Sequence, residues 1–111
     1  MNIIQRIENY FGQSLPESYQ VFLKSHTSEL VGDAQLYLPK DIVERNQTYE
    51  TLEYTPGYIS IGDDGGGRAF VIKLIENNPK VFAIDHGSMD VEDKELVCSS
   101  FTKWVEINFV F

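Results

Sequence analysis

Tyr58-Ile59-Ser60-Ile61-Gly62-Asp63-Asp64-Gly65-Gly66-Gly67-Arg68-Ala69-Phe70-Val71-Ile72-Lys73-Leu74 runs into Ile75-Glu76-Asn77-Asn78-Pro79-Lys80 and then Val81-Phe82-Ala83-Ile84-Asp85. Three apolar runs alternate here with two polar loops. The runs are rich in Ile, Val, Phe and Tyr, which suit a pleated, half-buried surface. The first loop holds Asp64-Gly65 and three consecutive glycines, which reach positive φ without a Cβ clash. The second holds Asn77-Asn78-Pro79, also turn chemistry. The stretch predicts a three-stranded antiparallel meander against which the rest of the chain packs.

Upstream, residues 2–11 place Ile3, Ile4, Ile7 and Phe11 at helical spacing, with Tyr10 at the margin and Gly12 as the stop. Pro16 and Glu17 suit the first turn of a second helix, with Tyr19, Phe22, Leu23 and His26 on one face. Residues 27–33 read as a loop and Ala34 to Leu38 as a short strand closed by Pro39. A third helix is predicted from Pro39 to about Glu53, with Ile42, Val43 and Tyr49 inward, before Thr55-Pro56-Gly57 launches the meander.

Downstream, residues 86–95 form a charged loop, Leu96 to Ser99 a short strand, and Ser99 or Ser100 caps a final helix. Its inner face carries Phe101, Trp104, Val105 and Asn108 or Phe109. The succession predicts one α+β domain over residues 1–111, with helices from both chain ends packed on an antiparallel sheet.

Composition narrows the function. The chain has 111 residues, 42% of them hydrophobic, which suits a single-core domain. No apolar run reaches the length of a membrane helix, and the start lacks a signal peptide's basic and apolar regions, so the expectation is cytoplasmic. Seventeen acidic against nine basic residues leave a net charge of −8. That argues against direct contact with nucleic acid or anionic membranes and suits a basic protein partner, although acidity also serves solubility alone. Cys98, the single cysteine, reads as a buried structural thiol.

Catalytic and metal chemistry find no support in the motifs. A strand, not a helix N-terminus, follows the glycine-rich loop, and Asp63 and Asp64 would repel a phosphate, so a hairpin turn is the better reading. Calcium-loop spacing is absent. His26 and His86 are not spaced as a zinc pair, and Asp85 and His86, adjacent on a strand, point to opposite faces. No catalytic residues, metal ligands or cofactors are therefore expected.

A family resemblance emerges once these pieces are set in order. Glu8 through Gly12 followed by Leu15-Pro16-x-x-Tyr19-x-x-Phe22-Leu23 resembles the opening of the SMI1/KNR4 (SUKH) superfamily. Tyr58-Ile59-Ser60-Ile61-Gly62 with the turn ending at Gly67 is similar to that family's central hairpin, and Val81-Phe82-Ala83-Ile84-Asp85 to a strand ending in an acid. Ser99-Ser100-Phe101-x-x-Trp104-Val105 resembles its closing helix. The chain departs from the pattern after the second helix, where it lacks an Asn-Gly-Gly turn and Gly32 is the nearest substitute. The resemblance implies an α+β fold and, in bacteria, a non-enzymatic immunity protein that binds a cognate toxin, often a nuclease. Eukaryotic members resemble scaffolds, so a general interaction module is the alternative. The contacts expected with a basic toxin are Asp63, Asp64, Asp85, Asp90, Glu92, Asp93 and Glu95, provided their two loops share one end of the sheet.

Overall fold

The meander is present and forms the middle of a larger sheet. The computed structural model describes residues 2–111. Among them, strands β1 (Leu30–Val31), β2 (Ala34–Leu36), β3 (Tyr58–Asp63), β4 (Arg68–Lys73), β5 (Val81–Asp85) and β6 (Glu95–Cys98) lie side by side in chain order, each antiparallel to the next. Five helices accompany them: α1 (Ile3–Phe11), α2 (Glu17–Leu23), α3 (Ile42–Thr48), α4 (Thr51–Tyr54) and α5 (Phe101–Glu106).

Local signals account for both ends of α1 and the start of α5. Asn2 caps α1 in a reciprocal box with Gln5, and Gly12 ends it at φ 69°. Ser100 caps α5 by accepting from the Lys103 N–H. Pro16 precedes α2 but makes no side-chain cap.

The sheet buries apolar groups on both faces. On one, Ile59, Ile61, Phe70, Ile72, Val81 and Ala83 meet Ile7 and Phe11 of α1, Tyr19 and Leu23 of α2, and Phe101 and Trp104 of α5. Each large side chain of this kind contributes roughly 1.5–3 kcal/mol by leaving water. Cys98 joins this cluster as a buried thiol. On the other face Ala69, Val71, Ile84 and Met89 form a second cluster flanked by Tyr49, Tyr58 and Phe82.

Four expectations are corrected. The predicted loop 27–33 contains β1, too short for an alternating pattern to show; Leu36 N–H donates to Glu29 O at 2.7 Å beside it. The strand after it ends at Leu36 rather than Leu38. The long third helix is broken into a 3-10 turn (Pro39–Asp41), α3 and α4, with Glu50 left-handed at φ 54° between the last two. The Thr51 hydroxyl fixes that break by donating to Asn46 Oδ1 at 2.9 Å, a side-chain competitor for helical geometry. Finally, Val105 is 39% exposed. Helix α5 ends at Glu106, and Asn108 and Phe109, both left-handed, fold the tail back so that Phe109 fills the inner position.

Candidate partner-binding site

The two acidic loops share one end of the sheet. In an antiparallel succession every second connection returns to the same end. The β3–β4 turn and the β5–β6 loop are two such connections, and pairing of Arg68 with Asp85 and of Ala83 with Glu95 aligns them. The His86 N–H donates to Gly67 O at 2.8 Å and ties the loops together. Arg68 reaches across to Glu95 in a 3.0 Å ion pair between largely solvated side chains.

The seven carboxylates divide by local role. Asp63 accepts from the Gly65 N–H at 2.9 Å and Asp64 from the Gly66 N–H at 2.8 Å, so both build the turn they occupy. Of the three glycines only Gly65 has positive φ, at 80°. Asp85 accepts from the Gly87 N–H at 2.6 Å and Asp90 from the Glu92 N–H at 2.9 Å. Asp63 and Asp64 are half-buried; the other five are exposed. Among the described residues the carboxylates of Glu92 and Asp93 hold no hydrogen bond or ion pair. Asp85, Asp93, Glu95 and Arg68 line a recess of about 560 Å³.

Helix α3 and the second cluster position these loops. Asn46 on α3 stands where β2 has ended and acts as a substitute strand. Its side chain donates to Ser60 O at 2.9 Å and accepts from the Ser60 N–H at 2.9 Å. Met89 anchors the β5–β6 loop by burying its side chain beside Val71 and Ile84, despite a left-handed φ of 48°. Tyr49 stacks on His86 at 4.4 Å between ring centroids and holds the start of that loop against α3.

Comparison with protein families decides the affiliation: the model of the SMI1 / KNR4 family (SUKH-1) matches residues 2–107. The chain belongs to the SMI1/KNR4 (SUKH-1) family. Comparison with curated proteins returned no match. This SUKH-1 chain has no helix, among the described residues, long and apolar enough to cross a membrane. The same residues contain no group of three or more His, Cys, Asp or Glu arranged to hold a metal ion.

Two features of the SUKH-1 surface escaped the sequence reading. Arg68 sits amid the acids; its place as the first residue of β4, just past the turn, was the available clue. A second recess of about 560 Å³ runs between α2 and α5, lined by Val21, Phe22, Phe101 and Val105 and flanked by Glu17 and Glu106. Val105 fits an inward helical pattern, and only the packing of α5 reveals that it faces this recess.

Proposed function

We propose that this SUKH-1 protein is a non-enzymatic immunity protein that binds a basic toxin, of which a nuclease is the best-fitting class, and blocks it in the producing cell. The single observation that carries the reading is the convergence of both acidic loops on one end of the sheet. A nuclease is basic where it holds phosphates, so an acidic surface of this kind is attracted to it and covers the groups its substrate needs. Family membership supports the same role. Glu92 and Asp93, which carry charge without building a turn, are the principal contacts, with Glu95, Asp85 and Asp90 beside them and Asp63 and Asp64 shaping the adjoining turn.

Co-expression with the toxic domain encoded next to the gene tests this. Host survival through a stable complex is the expected result. The variant Glu92→Lys with Asp93→Lys should associate about tenfold or more slowly at low salt. A toxic neighbour that kills equally with and without the protein would overturn the reading and leave a general interaction module as the better account.

A further inference from the structure

We propose that β6 is a strand-addition edge, and that an extended basic segment of the partner pairs with it. The inference rests on the reading that the acidic end receives a basic protein, and it names how that protein is held.

Three observations converge on β6. The sheet ends there, and among the described residues no turn, loop or side-chain hydrogen bond engages the backbone of Leu96, Val97 or Cys98 beyond the pairing with β5. Exposed N–H and C=O groups along an edge are hydrated in the free protein and form a template on which an extended partner pairs in register. Leu96 is 60% exposed and lies opposite Phe82, so the two form an apolar pair on one face of the edge. Glu95 lies opposite Ala83, and its carboxylate meets Arg68 on the other face, at the mouth of the acidic recess.

A strand presents alternate side chains to opposite faces. The complementary segment therefore alternates apolar residues, which pack on Leu96 and Phe82, with basic ones, which face Glu95, Asp93 and Asp85. Edges are often guarded by an outward lysine. Here Lys94 is folded back: its Nζ lies 5.2 Å from the centre of the Phe82 ring and donates to Val91 O at 3.2 Å. The opposite edge, β1, has two residues and offers too short a ladder. A second copy is a poor occupant, because each carries a net charge of −8 and this strand begins at its acidic end. The register shift at Val81/Phe82 leaves Val97 as an extra residue on β6, so the added ladder is short and the side chains must contribute to affinity.

The probe is a short end-blocked peptide alternating lysine and valine, titrated into the whole protein at low salt with amide hydrogen exchange followed by NMR. Saturation should slow exchange of at least one of the Leu96, Val97 and Cys98 amides about tenfold or more. The same peptide N-methylated at alternate residues keeps its charge but loses its ladder donors, and should bind at least about tenfold more weakly. Leu96→Lys, at an exposed position whose folding is checked by Tm, should weaken the unmodified peptide similarly. Equal binding of the N-methylated peptide, protection confined to the loops or to β1, or no binding at about millimolar peptide would overturn the inference. So would peptide-independent protection of β6 that grows with protein concentration, the signature of self-pairing. Failure of the wild type to rescue a co-expressed toxin would sink the immunity reading alone, because the peptide result is independent of it. Rescue by the wild type without peptide pairing would sink strand addition alone.

Discussion

Asn46 is the residue whose loss should cost most for its size. Its side-chain amide is fully buried and satisfies Ser60 N–H, Ser60 O and Ile42 O, while its oxygen also accepts from Thr51. Asn46→Ala strands these groups in the core and should lower stability by about 2–4 kcal/mol in urea unfolding. Gly62 is constrained by space. A Cβ there would collide with Gln35 O and Leu36 of β2, so Gly62→Ala should loosen β2 and speed exchange of the Leu36 and Tyr37 amides. Tyr19 offers a pH test. Burial pushes its hydroxyl far above the ordinary value of 10.0, and among the described residues that hydroxyl has no hydrogen-bond partner. The raised folded value means that the unfolded chain ionises first, so this contribution to stability is complete below pH 10 and declines as pH rises above it. Tyr19→Phe should therefore flatten the alkaline loss of stability with little change at neutral pH, as a pH series of Tm values would show.

Among elements, the β4–β5 loop does more than turn the chain. Asn77 O accepts from the Ser18 N–H at 3.0 Å, serving the start of α2 where Pro16 offers no side-chain cap. Asn78 Oδ1 accepts from the Thr102 N–H at 3.0 Å, and Pro79 O accepts from the Phe101 N–H at 2.7 Å, so the same loop caps α5 alongside Ser100. Asn78→Ala should cost about 1 kcal/mol, and Ser100→Ala a similar amount. Both caps serve one helix, so the double variant should depart from simple addition. The turn chemistry of Asn77-Asn78-Pro79 is legible in sequence; its service to two distant helices is not, because those partners are 59 and 24 positions away for Ser18 and Thr102.

For the whole molecule, the decisive arrangement is the shared end of the acidic loops. It follows from β4 being antiparallel to β5, with Arg68 opposite Asp85, since the turn that enters β4 and the loop that leaves β5 must then emerge together. If that end attracts a basic partner, the association rate should fall steeply with ionic strength for the wild type. It should fall less steeply for Glu92→Lys with Asp93→Lys, measured by stopped flow at several salt concentrations. Unchanged salt dependence would place the interface elsewhere on the molecule, with the apolar recess between α2 and α5 the first surface to examine.

Short-range rules made the meander, the α1 boundaries, the start of α5 and the buried Trp104 legible in the amino-acid order. Periodicity, capping and turn chemistry act over a few residues and leave local traces. Tertiary packing decided the rest. Two-residue β1 has no pattern of its own and exists because β2 is beside it. The predicted third helix breaks where the Thr51 hydroxyl donates to Asn46 O and Oδ1 and Glu50 turns left-handed. Asp63, Asp64, Asp85 and Asp90 looked equivalent to Glu92 and Asp93 in the chain. The folded loops separated them, because a carboxylate that holds a nearby N–H builds its turn, while one that holds nothing is left to meet whatever approaches.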